Sequence, residues 1–244
     1  MKTAVIIPAR YSSTRFPGKP IHPLLGKPMV IWTAEIAERA VGNESVYVAT
    51  DHQEIYDIVT GYGFQAIMTS KACLTGTDRV AEAAKSIMAD IYINLQGDEP
   101  LVTPSEIKAV IQAKILKPEC VINCYSSMSV HEDPRSVHIP KVLVNEQNKL
   151  IYMSRSLIPG CKSDDSAPSA YYKQVCIYAY NIDELTDFIL FGRKSTIEST
   201  EDIEILRFFD LNRQIYMIES FNSSQAVDRP EDVAIVEELL RMRL

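Results

Sequence analysis

Thr3-Ala4-Val5-Ile6-Ile7-Pro8 is a short apolar run closed by a proline. It leads straight into Ala9-Arg10-Tyr11-Ser12-Ser13-Thr14-Arg15-Phe16-Pro17-Gly18-Lys19-Pro20. An unalternated apolar run of about four to eight residues reads as a strand buried on both faces. Outward from this first strand the pattern repeats. Strands are predicted at 45–50, 64–68, 91–95 and 120–125, and amphipathic helices at 28–40, 53–62, 78–88 and 105–116. In 28–40 the stripe is Met29, Ile31, Trp32, Ile36 and Ala40. Buried strands alternating with helices predict an α/β fold, with a mostly parallel central sheet flanked by helices in a Rossmann-like manner. Right-handed crossovers then gather the C-terminal strand ends on one edge, where open α/β sheets bind their ligands.

The middle of the chain breaks this rhythm. Residues 130–140 are polar with two prolines, 141–144 and 150–153 read as strands around a turn at 145–149, 159–168 as a loop and 175–180 as a strand. This predicts a β-rich excursion over about 130–180, of the kind used as a lid or subunit contact. Helices at 182–190, 203–212 and 230–241 and a strand at 215–219 return the chain to α/β. The 244 residues are read as a single domain spanning 1–244.

Composition excludes several classes. With 25 Lys+Arg against 32 Asp+Glu, the net charge of −7 argues against a nucleic-acid partner, which draws a basic face. No stretch nears the roughly 18–20 apolar residues of a membrane span, and residues 4–7 are too few for a signal-peptide core. Cys73, Cys120, Cys124, Cys161 and Cys176 contain no Cys-x-x-Cys pair and form no zinc pattern, as expected of reduced thiols in the cytoplasm. His22, His52, His131 and His138 fall in polar loops or helix starts and read as solvated.

Four motifs carry chemistry. The loop after the first strand sets Arg10, Arg15 and Lys19 among serines and a threonine at the ligand edge. Cations this close repel one another unless an anion joins them, and hydroxyls and backbone N–H groups complete a polyphosphate cradle. The loop is neither a Walker A nor a Gly-x-Gly-x-x-Gly sequence, and the chain contains neither. In Asn94-Leu95-Gln96-Gly97-Asp98-Glu99-Pro100 an aspartate stands just past a strand end, suited to Mg²⁺ shared with phosphate oxygens. Asp228, in Val227-Asp228-Arg229-Pro230-Glu231-Asp232, reads on its own first as a helix cap and second as a metal ligand. In Thr75-Gly76-Thr77-Asp78-Arg79, Thr77 could cap a helix, or the turn could grip a base or ribose.

In this order and spacing the four motifs resemble the CMP-3-deoxy-manno-octulosonate (CMP-Kdo) synthetases, cytidylyltransferases that activate Kdo for lipopolysaccharide or capsule, and the similarity runs over essentially the whole chain. The resemblance implies a nucleotidyltransferase fold with a β-rich lobe for sugar binding and dimerisation, hence a homodimer. It implies that Arg10, Arg15 and Lys19 hold the CTP phosphates, that Pro8, Ala9, Ser13 and Thr14 belong to the same CTP site, and that Gly76, Thr77, Asp78, Arg79 and Gln96 meet base, ribose and sugar. Asp98 and Asp228 match the metal-binding aspartates. Arg155 in Tyr152-Met153-Ser154-Arg155, Gln174, Tyr178, and Glu201 and Glu204 match the sugar side.

Two departures stand out. A histidine of the family pattern is Gln174 here, and a glycine is Cys176. The nucleotide half is intact and the sugar half has drifted, a pattern similar to the branch acting on the 8-amino analogue of Kdo. An ammonium there favours an acceptor such as Gln174, with Glu198 or Glu201 nearby, over a histidine that can be cationic. The implied reaction joins CTP and a 3-deoxy-2-ulosonic acid to give the CMP-sugar and pyrophosphate, with Mg²⁺. Two rivals use related chemistry: a sialate-type cytidylyltransferase and a sugar-1-phosphate nucleotidylyltransferase. A third is a CTP-binding sensor without turnover.

Overall fold

The computed structural model describes residues 1–12, 16–130, 132–163, 168–220 and 225–243. The strands run in chain order as β1 (Thr3–Ala9), β2 (Pro23–Leu24), β3 (Lys27–Pro28), β4 (Val46–Thr50), β5 (Gln65–Met68), β6 (Ile91–Leu95), β7 (Val121–Ser127), β8 (Lys141–Val144), β9 (Leu150–Ser154), β10 (Tyr172–Tyr180) and β11 (Ile215–Glu219). The helices are α1 (Met29–Val41), α2 (Gln53–Gly61), α3 (Gly76–Ala84), α4 (Pro104–Leu116), α5 (Ile182–Leu190), α6 (Thr196–Glu201), α7 (Arg207–Asp210) and α8 (Asp232–Arg241).

The main sheet runs β11-β7-β10-β6-β1-β4-β5, with β8 and β9 attached beside β10. Pairs β1–β4, β1–β6, β4–β5 and β7–β11 are parallel, as the apolar runs predict. Alternate residues of each strand feed two cores. Val5, Ile7, Val48, Ile93 and Ile122 pack with residues of α1, α2 and α4. Ala4, Ile6, Tyr92 and Met217 pack with residues of α3, α5 and α7. A third cluster seats Val236 and Leu240 of α8 against Leu24, Met29 and Trp32.

Helix starts follow local chemistry. Capping boxes open α4 (Thr103/Glu106), α5 (Asn181/Glu184) and α6 (Ser195/Glu198). The β2–β3 hairpin and α6 have no counterpart in the sequence reading. The helix expected at 203–212 is instead a 3-10 turn at Glu204–Leu206 running into α7.

One strand departs from the sequence reading in a way that matters for function. The segment at 175–180, read as part of the excursion, belongs to β10, which is antiparallel and lies inside the main sheet between β6 and β7. Its register sets Ile177 opposite Leu95, so the N-terminal half of β10 lies beside the C-terminal end of β6. Gln174, Cys176 and Tyr178 thereby reach the ligand edge.

Candidate active site

The edge opens into a cleft of about 300 Å³. Pro8 and Arg10 line it from the end of β1, Gly76 and Arg79 from the start of α3, and Gln96 and Asp98 from the end of β6. Gln174, Cys176 and Tyr178 of β10 face the same space, as do Arg155, Glu204 and Asp228. Residues from both halves of the sequence thus meet at one place.

The first centre is built around Lys19. Gly18 adopts φ +69°, a left-handed conformation that favours glycine, and its N–H donates to the Tyr11 carbonyl at 3.1 Å. Gly18 is thus tied to Tyr11, and Lys19 begins a 3-10 turn. Its Nζ donates to Asp98 Oδ2 at 2.5 Å and to the Val227 carbonyl at 3.1 Å, and lies 4.0 Å from Asp228 Oδ1. The Val227 N–H donates to the Asp98 carbonyl at 3.0 Å, tying the segment before α8 to the end of β6. Asp228 does not cap α8, whose N-cap is Glu231 without a side-chain cap bond; the Asp232 carboxylate instead closes the turn before the helix, accepting from the N–H groups of Asp228 and Arg229 at 2.9 and 2.8 Å. The Asp228 carboxylate therefore faces Lys19 instead of its own helix. Among the described residues no group of three or more His, Cys, Asp or Glu side chains forms a metal cage. Two carboxylates that converge on one cation form an incomplete donor set, the kind that Mg²⁺ completes with phosphate oxygens.

The second centre is the N-terminus of α3. Thr75, not Thr77, is its cap, with the side chain accepting from the Asp78 N–H. Glu204 accepts from the Thr77 N–H and from Gln96 Nε2, both at 3.0 Å. Burial pushes the Glu204 carboxyl above its ordinary value, against the pull of the Thr77 N–H. Gly76 permits a close approach here: a Cβ would come 2.5 Å from Gln96 Nε2, and the amide would have to move.

Several residues read from the sequence as ligand contacts face inward. The Thr77 hydroxyl accepts from Asn94 Nδ2 at 3.1 Å and pairs with the Tyr180 hydroxyl at 3.3 Å. Asp78 accepts from fully buried Arg207 at 2.8 Å, and Arg207 also holds Glu198 at 2.7 Å. Arg79 lines the cleft but donates to Asp51 at 2.9 Å and to Thr69 Oγ1 at 2.5 Å. Ala9 is buried in β1. Ser13, Thr14 and Arg15 lie outside the described residues.

On the sugar side, the Glu201 carboxylate accepts from the Ser154 hydroxyl at 2.7 Å and the Arg155 N–H at 2.8 Å, anchoring the end of β9. The Arg155 guanidinium donates to the carbonyls of Val137 at 3.0 Å and Asp202 at 2.9 Å. Gln174 Nε2 donates to Asn123 Oδ1 and to the Tyr178 hydroxyl, each at 3.2 Å. The expected neighbours of Gln174 are engaged elsewhere, Glu198 by Arg207 and Glu201 by β9. A second chamber of about 270 Å³ adjoins the cleft across Gln174, Cys176, His138 and Asp228, and adds Glu99, Glu132 and Asp232. Buried Glu99 accepts from the Cys176 N–H at 3.1 Å.

The sequence reading missed Cys73, Lys194, Asp202 and His138, all of which line the cleft. His138, read as solvated, sits between the two chambers, with its ring against the Arg229 guanidinium. No local signal marks these positions, since each is delivered by a loop whose path depends on contacts elsewhere.

Residues 4–218 match the cytidylyltransferase family. The chain belongs to that family. It is 35% identical over 243 residues to a 3-deoxy-manno-octulosonate cytidylyltransferase of Bdellovibrio bacteriovorus, with 98% of each chain covered. It is 37% identical over 241 residues to an 8-amino-3,8-dideoxy-manno-octulosonate cytidylyltransferase of Shewanella frigidimarina, with 96% of each covered. A solved structure of CMP:2-keto-3-deoxy-manno-octonic acid synthetase complexed with CTP superposes with a TM-score of 0.90 at 35% identity, over all of both chains. The chain is thus a nucleotidyltransferase of mixed α/β fold. Among the described residues no helix is long and apolar enough to cross a membrane.

Proposed function

We propose that the enzyme transfers CMP from CTP to the anomeric hydroxyl of a 3-deoxy-2-ulosonic acid and releases pyrophosphate. The observation that carries this reading is the meeting of Lys19, Asp98 and Asp228, opposite the α3 N-terminus, in a cleft reached by both halves of the chain. In the reaction the 2-hydroxyl oxygen forms a bond to the α-phosphorus, the bond from that phosphorus to the bridging oxygen breaks, and the hydroxyl proton leaves to solvent. Such transfers depend on positioning and charge neutralisation, so no covalent enzyme intermediate is needed. Arg10 and Lys19, with Arg15 of the same loop, neutralise the charge that grows on pyrophosphate. Asp98 and Asp228 would hold Mg²⁺, which when bound acidifies the attacking hydroxyl and offsets phosphate charge. Gly76 and the turn at the start of α3 serve the nucleotide, while Gln96, Arg155, Gln174, Tyr178 and Glu204 serve the acceptor. The β-rich lobe is proposed to pair two copies of the chain.

For the acceptor we propose Kdo or its 8-amino analogue. Gln174 cannot become cationic, and the chamber beyond it sets Glu99, Glu132, Asp228 and Asp232 against Lys173 and Arg229, an excess of carboxylates that supports an acceptor ending in an ammonium.

Pyrophosphate release measured with CTP, UTP, GTP and ATP against both acceptors tests the whole reading. CTP alone should serve as donor. Use of UTP or GTP with a sugar 1-phosphate would replace this reading with the other nucleotidylyltransferase class. Equal turnover of the two acceptors would remove the role given to Gln174. Asp98→Asn and Asp228→Asn should each lower turnover by orders of magnitude, with far-UV circular dichroism unchanged. Near-normal turnover in either would refute the metal assignment at that position.

A further inference from the structure

Lys19 is assigned to the CTP phosphates, yet its ammonium lies against Asp98 Oδ2 at 2.5 Å, the Val227 carbonyl at 3.1 Å and, at 4.0 Å, Asp228 Oδ1. Those two carboxylates are the pair proposed to hold the divalent ion. The three groups are only partly exposed, with 18% of the Lys19 side chain, 23% of Asp98 and 39% of Asp228 open to solvent. A monovalent cation therefore occupies the space between the metal-binding carboxylates. A divalent ion cannot enter there while the ammonium remains, because the two cations would compete for the same oxygens and repel each other across a poorly screened gap.

We propose that Lys19 is a cation latch. In the nucleotide-free enzyme it closes the Asp98–Asp228 pair to divalent ions, and the arriving triphosphate opens the pair by drawing the ammonium away. The inference rests on the reading of Asp98 and Asp228 as metal ligands. Lysine suits such a latch because it carries a compact charge on a flexible four-carbon stem, with three donors that serve carboxylates and phosphates alike. The Gly18 turn fixes the backbone of residue 19, so exchange between the two partners needs only rotation of the stem. Nucleotide and metal sites are then coupled, and the coupling must be reciprocal: whatever nucleotide does for the ion, the ion does for nucleotide. The latch also keeps the free enzyme from loading an ion in the absence of CTP.

The test is Mn²⁺ binding to the nucleotide-free protein, followed by electron paramagnetic resonance of the unbound ion, together with CTP binding by calorimetry in EDTA. Lys19→Met should bind Mn²⁺ about tenfold more tightly than wild type, within the usual range of coupling between sites, and should bind CTP more weakly. A tighter ion and a weaker nucleotide from one substitution is a result that simple loss of folding does not give. Lys19→Gln, which keeps a polar end of similar length, should change both affinities in the same directions. Lys194→Met removes an equal charge from the same cleft, at a lysine paired with Asp202, and should leave Mn²⁺ affinity as in wild type. If Lys19→Met binds Mn²⁺ no more tightly than wild type, or if Lys194→Met gains as much, the latch is overturned. Adding Asp98→Asn to Lys19→Met should abolish the gain. A gain that survives in the double variant refutes the metal role of Asp98 instead, so the two failures are told apart.

Discussion

A Cβ on residue 76 would collide with Gln96 Nε2, the end of a flexible side chain and not backbone. Gly76→Ala should therefore fold normally and push the Gln96 amide off Glu204. Small displacements of positioning groups can cost about a hundredfold in rate. We expect kcat/KM to fall on that order while the melting temperature stays within a few degrees, and unchanged kinetics would dismiss Gln96 as a positioning group. Cys73 shares the cleft, and burial, aided by its bond to Glu82 at 3.2 Å, pushes its thiol up to about 12. Thiolate is the reactive form, so at pH 8 iodoacetamide should modify exposed Cys161 and spare Cys73. Alkylation of Cys73 should rise with each pH unit toward 12, and peptide mapping by mass spectrometry checks both statements. At this scale the reading from sequence places Lys19 and Asp98 at the ligand edge from local pattern alone, and their side chains meet there. It fails for Asp78, because the partner that turns it inward, Arg207, lies far along the chain. It fails for Thr77 by two positions, since a threonine at 75 or at 77 caps a helix equally well on paper.

Elements are held by buried polar clamps that no periodicity reveals. Lys114 of α4 donates to both oxygens of Glu184 at the start of α5, at 2.7 and 2.8 Å, and to the Cys120 carbonyl at 2.7 Å. Burial pushes the ammonium down and the carboxyl up, each against the pull of its partner. Removing one member leaves a charge without its counterion. Lys114→Met should cost about 3–5 kcal/mol in urea denaturation. Adding Glu184→Gln removes the stranded charge, retains the acceptor that caps α5, and should recover most of the loss. A double variant as unstable as the single one would show that the carbonyl contacts of Lys114 matter more than its charge. The parallel strands and α1, α2 and α4 were legible because burial on both faces leaves long apolar runs. β10 was legible as a strand, but its place was not. Its antiparallel ladder with β7 is irregular, and Asn123 Nδ2 spans the irregularity by donating to the carbonyls of Val175 at 3.0 Å and Ile177 at 2.9 Å. A single asparagine in an apolar strand does not announce such a partner.

At the scale of the molecule, the cleft joins two halves that share the sheet through the β6–β10 ladder and are fastened beside it by buried side chains. The nucleotide half ends at the α3 N-terminus and the tips of β1 and β6. The acceptor half consists of the end of β9, the start of β10 and the segment from α6 to α7. Glu204 and Arg207 link them: Glu204 accepts from Thr77 of α3, and Arg207 bridges Asp78 of α3 to Glu198 of α6. This arrangement predicts stepwise ordering, readable by hydrogen exchange in EDTA, where no turnover consumes the ligands. CTP alone should slow exchange at residues 9–12, 16–20 and 73–79. Weaker protection should extend to 198–207, because the Thr77 N–H and the Asp78 carboxylate are fastened to that segment. Addition of the ulosonic acid should then protect 136–140, 154–156 and 201–204, where Arg155 spans Val137 and Asp202. Arg207→Lys keeps the charge and loses the fork that grips two carboxylates at once, so CTP should still protect 73–79 while the spread to 198–207 disappears. Protection of 136–156 by CTP alone, or a spread unchanged in Arg207→Lys, would show that the halves communicate through the sheet and not through this buried triad.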